Sequence, residues 1–155
     1  MIETIISGGQ TGVDRAALDV AIYLGIQHSG WCPLGRLAED GEIPDVYELV
    51  ETNSRDYSVR TEKNVIDSDA TLILFQNELS GGTRLTYRLC RRHHRPVLKF
   101  DLTLEADTGV IHEWLKMYDV RRLNIAGPRE SNVPGITRRA EALLLEVFDE
   151  LQIAD

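Results

Sequence analysis

Short aliphatic runs recur along the chain, and stretches with helical spacing lie between them. These runs predict strands over Thr4–Ile6, Ala70–Phe75, Pro96–Phe100 and Arg122–Ala126, with a weaker one near Ile26–Ser29. Ala17, Val20, Ala21 and Leu24 stand at i, i+3, i+4 and i+7, the spacing of one buried helix face. The longest stripe is Ala140, Leu143, Leu144, Val147, Phe148 and Leu151, which predicts a helix closing the fold. Strands that alternate with helices imply a parallel sheet covered on both sides. Right-handed crossovers then give a single Rossmann-like, three-layer α/β domain over residues 1–155, with a mainly parallel open sheet of about five strands. Residues 30–57 break the pattern, being rich in turn formers and charge. A long irregular segment in a compact domain predicts a functional loop or a lid.

Three glycine-containing turns fall just after predicted strands, where open parallel sheets hold their ligands. They are Ser7-Gly8-Gly9-Gln10-Thr11-Gly12, Ser80-Gly81-Gly82-Thr83 and Gly127-Pro128-Arg129-Glu130-Ser131-Asn132. Glycine lets a ligand approach the main chain without meeting a Cβ. The N–H groups at the start of the next helix then point at an anion. Thr11 and Asp14 also have the T-x-x-D spacing of a capping box, so both have a purely structural alternative. Arg15 is open to pairing with a phosphate or with solvent. Thr83 suits a helix cap and offers a hydroxyl to phosphate. The first turn has neither the G-x-x-x-x-G-K-[ST] of a P-loop nor G-x-G-x-x-G, which argues against NTP hydrolysis and gives no indication of ordinary dinucleotide binding.

Charge narrows the class of ligand. The 155 residues carry 25 acidic and 17 basic side chains, a net charge of −8, which argues against nucleic acid as a partner. One basic stretch, Arg84 to Pro96, opposes the trend. On a helix its Arg84, Arg88, Arg91 and Arg95 fall near one face, either a solvated surface or a field for an anionic ligand. His93 and His94 are adjacent and share no helix face, so they do not read as a metal pair. Cys32 and Cys90 form no CxxC pair, which fits a reduced compartment and no structural metal. MIETIISGG lacks the basic and apolar regions of a signal peptide, and no run approaches the ~20 apolar residues of a membrane span. The expectation is a cytoplasmic protein without a membrane partner.

The runs SGGQTGVDRAALDVA (Ser7 to Ala21), GWCPLGRLAEDGEIPDVYEL (Gly30 to Leu49), RTEKNVIDSDATLI (Arg60 to Ile73) and SGGT (Ser80 to Thr83) resemble the molybdenum cofactor carrier family. The resemblance covers most of the chain and weakens between about Leu102 and Arg121. It implies a Rossmann-like fold, homo-oligomeric assembly as a dimer or tetramer, and binding of a phosphorylated pterin bearing molybdenum. That family is similar in turn to the lysine-decarboxylase-like proteins, many of them nucleoside 5′-monophosphate phosphoribohydrolases. Those enzymes carry an arginine nine residues before an aspartate, then a G-G-x-G-T-x-x-E turn. Arg60 stands nine residues before Asp69 and matches this, but the turn here is shorter and Thr86 occupies the glutamate position. A threonine supplies no carboxylate base and does not stabilise a cationic sugar. Glu39, Asp40 and Glu62 are the candidate replacements.

Two functions of different class follow. The first is a non-catalytic carrier of a phosphorylated, cofactor-sized small molecule. In it the amides of Gly8, Gly9, Gln10, Thr11 and Gly12, and of Ser80, Gly81, Gly82 and Thr83, hold the phosphate, and Arg60 and Arg36 neutralise it. Trp31 is then a stacking surface or a core residue, and Cys32 a molybdenum ligand or a buried thiol. The second is an enzyme that cleaves an N-glycosidic bond in a nucleotide. A nucleotide-sensing module is a third, minor reading.

Overall fold

In the computed structural model, which describes residues 1–104 and 107–154, β1 (Thr4–Ile6) runs into the first glycine turn and α1 (Val13–Leu24) leaves it. Gly25 ends α1 in the left-handed region at φ 71°, and Ile26 N–H donates back to the Ala21 carbonyl at 2.9 Å. The chain continues through β2 (Gln27–Ser29), β3 (Trp31–Cys32), β4 (Leu37–Ala38), β5 (Gly41–Glu42) and β6 (Val50–Glu51). It then alternates through α2 (Tyr57–Asp67), β7 (Ala70–Phe75), α3 (Gly81–Arg92), β8 (Val97–Asp101), α4 (Gly109–Met117), β9 (Arg122–Ala126) and α5 (Ile136–Ala154).

Five strands form one sheet in the order β2-β1-β9-β7-β8, each neighbouring pair parallel. The chain steps outward from β1 to β2, restarts at β7, steps outward to β8 and returns to β9 between the halves. The order therefore reverses around the three central strands, β1, β9 and β7. Each of these strands ends in one of the three glycine-containing turns.

The sheet is covered on both sides, giving the three-layer, Rossmann-like α/β arrangement. Ile5, Leu72, Leu74, Leu123 and Ile125 pack with α1, α4 and α5 in the main core, where Ala140, Leu144, Val147 and Phe148 of α5 are fully or nearly fully buried. On the other side the buried cluster is small: Val65 of α2 with Leu89 and Cys90 of α3. The pleat sends alternate residues to opposite faces, so Thr71 and Asn124 look away from the main core, and Asn124 Nδ2 donates to Thr71 Oγ1 at 3.2 Å. Among the described residues no helix is long and apolar enough to cross a membrane.

Two expectations change. Residues 30–57 are a packed cap on α1, not an irregular loop: Cys32, Ala38, Ile43, Tyr47 and Leu49 form a buried cluster with Leu18. Within the cap, β3 pairs with β6 and β4 with β5. The basic stripe is also shorter than its spacing suggests. Arg95 lies beyond the end of α3, past His94 at φ 53°, and its guanidinium donates to the Ile66 carbonyl at 3.0 Å.

Candidate functional site

A cavity of about 300 Å³ opens above the central strands. Gln10 comes from the first turn, Ser80, Gly82 and Thr83 from the second, and Gly127, Arg129 and Asn132 from the third, while α2 adds Tyr57 and Arg60. The three turns converge because their strands are neighbours at the point where strand order reverses.

The turns contribute different groups. In the first, three main-chain donors are already engaged: Gly9 N–H bonds Ser7 Oγ at 3.3 Å, Gln10 N–H bonds Asp14 Oδ2 at 3.3 Å and Thr11 N–H bonds Gln10 Oε1 at 3.1 Å. These three amides are therefore not free to cradle an anion. The glycines of this turn serve close packing instead. A Cβ on Gly8 would lie 2.4 Å from Arg60 Nη1, and one on Gly12, at φ 82°, would lie 2.2 Å from the Pro128 carbonyl oxygen. Gly9 sits against Ile43 and Leu49 of the cap. The second turn keeps its donors free. Ser80 caps α3 without a side-chain bond, its carbonyl accepts from Thr83 and Arg84, and the N–H groups of Gly81 and Gly82 have no acceptor among the described residues. Such groups at a helix start favour an oxyanion.

Arg60 is the central cation. Its side chain is 13% exposed, its Nη1 lies 3.6 Å from Asp14 Oδ2, and its Nε is buried without a partner among the described residues. Its guanidinium stands 5.4 Å from the Tyr57 ring centre, and Arg129 stands 5.5 Å from the same ring. Gln10 adds a fixed donor. Its Oε1 accepts the N–H of Thr11 and, at 2.8 Å, that of Glu39, and its amide nitrogen is buried with no partner among the described residues.

Among comparisons with known proteins, residues 5–148 match the circularly permutated YpsA SLOG family, cpYpsA. The chain belongs to this family. The crystal structure of a protein named putative molybdenum carrier protein, from Syntrophus aciditrophicus SB, superposes with a TM-score of 0.91 at 47% identity, over 95% of this chain and 94% of that one. The recognised likeness to molybdenum carriers therefore holds across the fold. (E)-4-hydroxy-3-methyl-but-2-enyl diphosphate reductase aligns at 13% identity over 94% of this chain and 59% of its own, with a TM-score of 0.40, too low to carry an argument. No curated protein matches the sequence.

The remaining candidate residues of this cpYpsA member divide by position. Arg36 is outside the cavity: its guanidinium donates to the carbonyls of Ile43, Pro44, Leu49 and Tyr47 and pins the cap. Thr11 is also outside, its hydroxyl bonded to Glu39 and accepting Glu130 N–H at 3.2 Å. The capping box does not form, since α1 starts at Val13 with Gly12 as its N-cap. Trp31 Nε1 donates to Asp67 at 2.6 Å under Lys63, away from the cavity. Asp69 accepts the Arg121 and Arg122 N–H groups at the opposite end of the sheet. Cys32 and Cys90 are buried outside the cavity, and burial pushes both thiols up, away from the thiolate a metal needs. Among the described residues no group of three His, Cys, Asp or Glu is placed to hold a metal.

The carboxylates divide in an unexpected way. Glu39, Asp40 and Glu62 do not line the cavity, and Thr86 does, with its hydroxyl bonded to the Gly82 carbonyl at 2.9 Å. The acidic side chain buried in the wall is Asp14. Burial raises it from 3.8 to about 6, against the lowering pull of Arg60. Its capping-box spacing hid this position.

Proposed function

We propose that the chain is a non-catalytic carrier of a phosphorylated, cofactor-sized small molecule, with molybdenum cofactor the leading candidate. The observation that carries this reading is that Arg60, Arg129, Gln10 and Gly82 line one cavity, with the Gly82 N–H free of any acceptor among the described residues. That donor set suits a phosphate monoester, and a cavity near 300 Å³ is of the size that takes a small ligand. The 47% identical protein named a molybdenum carrier supports the choice of cargo. Phosphate would lie at the start of α3 with Arg60 and Arg129. Molybdenum would be held by the pterin of its cargo, because both cysteines are buried elsewhere. Thr86 in the position of the expected glutamate supports binding without bond cleavage.

Native mass spectrometry of freshly purified protein tests this directly. The expected result is a bound small molecule with the mass of a phosphorylated pterin, lost in Arg60→Ala. A chain that co-purifies with nothing and shows no thermal shift with any phosphorylated cofactor or nucleotide would end the reading.

One observation favours a second reading, a nucleoside 5′-monophosphate phosphoribohydrolase. Asp14 brings a carboxyl group into the cavity beside Arg60, where a glycosidase needs one. Incubation with a set of nucleoside monophosphates would then release free base, and the absence of base from the whole set excludes it.

A further inference from the structure

Asp14 is the buried carboxyl group of the cavity wall among the described residues, and it opposes the binding of an anion. Its side chain is buried, its Oδ2 accepts only the Gln10 N–H, and Arg60 Nη1 stops 3.6 Å short of that oxygen. This spacing exceeds the roughly 2.7–3.2 Å of a hydrogen bond, so the pair is held by charge alone. Three cations face Asp14 from the elements around it: Arg60 of α2, Arg15 of α1 and Arg129 of the third turn. Arg15 is committed to Asp40 at 2.9 Å, and Arg129 stands 4.0 Å from Glu39. Among the described residues Arg60 has no other carboxylate, and its Nε has no partner. Asp56 and Tyr57 are the other titratable groups at the cavity, and Asp56 is occupied as the N-cap of α2, accepting Ser58 N–H at 2.9 Å.

An oxyanion that engages Arg60 therefore arrives beside a buried carboxyl group. Two negative charges at that separation, screened by little water, repel strongly. We propose that the cavity takes up its oxyanion together with one proton, which Asp14 holds. This rests on the binding reading above and gives it a mechanism of control. The proton converts Asp14 from a competitor for Arg60 into an O–H donor, near two buried donors that have no partner among the described residues, the Gln10 amide and Arg60 Nε. The free protein is already poised for this, because burial lifts Asp14 to about 6. A bound anion shares Arg60, weakens the largest of the lowering influences on Asp14 and adds its own charge, so the complex prefers the protonated acid further. By linkage, affinity is greatest below the free value and falls about tenfold per pH unit above it, until the value in the complex is reached. Cargo is taken up on the acid side and released on the alkaline side.

Sulfate is the right probe, because its own charge is constant over the range tested while phosphate titrates within it. Calorimetric titrations of the intact chain at pH 5.5, 6.5 and 7.5, at fixed ionic strength and in buffers of different ionisation heat, read affinity and proton uptake together. The expected result is about a tenfold loss of affinity from pH 6.5 to 7.5, with close to one proton taken up per sulfate at pH 7.5. Asp14→Asn should bind sulfate equally at all three pH values with no proton uptake. A wild-type affinity that is flat with pH and accompanied by no uptake overturns the proposal while leaving anion binding standing. So does an Asp14→Asn protein that keeps the wild-type slope. Failure of sulfate to bind at pH 5.5 overturns the binding reading, and the proposal with it.

Discussion

Single residues around the cavity separate what folds the protein from what equips it. Asp14 is raised from 3.8 to about 6 by burial. The folded chain thus binds this proton more tightly than the unfolded chain does. Such an acid favours the fold at low pH, and that contribution is lost as pH rises from about 4 through 6. At pH 7.5 the ionised, buried Asp14 costs up to about 3 kcal/mol, at about 1.4 kcal/mol per pKa unit. Asp14→Asn should therefore gain about 2 kcal/mol relative to wild type between pH 4.5 and pH 7.5 in denaturant titrations. An unchanged difference between the two proteins across that range would show that Asp14 is not raised. The glycines give a sharper contrast. Gly12→Ala drives a Cβ into the Pro128 carbonyl at a positive φ, and both parties are main chain. We expect a loss of about 2–4 kcal/mol in stability. Gly8→Ala meets the Arg60 side chain from Cδ to Nη1 and no main chain, so the guanidinium rather than the backbone has to give way. Its fold should survive with a melting temperature near wild type while sulfate affinity drops at least tenfold, the scale of one lost charged hydrogen bond. Equal effects of the two substitutions on stability would refute this assignment.

At the level of elements, the legible and the illegible parts of the sequence have different physical origins. The strands and α1 and α5 were readable because burial on one face leaves a period in the local sequence, as in Ala140, Leu144, Val147 and Phe148. The turns were readable as a cluster because the βα alternation fixes which strand ends share an edge. Residues 30–57 were not readable, since their order comes from distant main-chain partners. Arg36 reaches four carbonyls of its own segment, and Asn64 of α2 brackets Trp31 with bonds of 2.8 and 3.0 Å to its N–H and carbonyl. Charge alone made Arg36 resemble a phosphate ligand. Asp14 stays ambiguous in the sequence for a related reason: its spacing from Thr11 fits a cap, but Thr11 is engaged with Glu39 and with Glu130, far along the chain. Glu39 is the joint between these elements. It accepts from Thr11 and from the Ser131 hydroxyl, and also from Ser131 N–H at 3.2 Å, and these bonds hold its carboxyl group below the usual range. It thereby ties the β4–β5 hairpin to the turn that carries Arg129. Glu39→Ala should speed amide exchange in residues 37–42 and 129–132 by about tenfold, the scale of about 1.4 kcal/mol, without changing exchange in β7. Faster exchange spread evenly over the sheet would instead mean that Glu39 supports the whole fold.

Across the whole molecule, the two layers that flank the sheet are unequal, and the cavity lies between them. α1, α4 and α5 bury a continuous core with the strands, whereas α2 and α3 meet the sheet through a small cluster and the polar Asn124–Thr71 contact. Apolar burial is the main source of local stability, at roughly 25 cal/mol per Å². The α2–α3 layer should therefore open in a partial event of lower free energy than global unfolding. The cavity draws Arg60 and Tyr57 from α2 and Gly82 from α3, while Asp14 belongs to α1 and Gln10 and Arg129 to the turns beside it, on the thicker side. An anion bound between them links the weak layer to the strong one. Native-state hydrogen exchange should show α2 and α3 exchanging before α1 and α5. Added sulfate at pH 5.5 should slow α2 and α3 selectively, by a factor that follows its saturation of the site. If α1 and α5 open first, or if sulfate protects every element equally, then the weak layer is not the one that the ligand secures. The unequal layering would then be a property of packing alone, without a part in how the chain takes and releases its cargo.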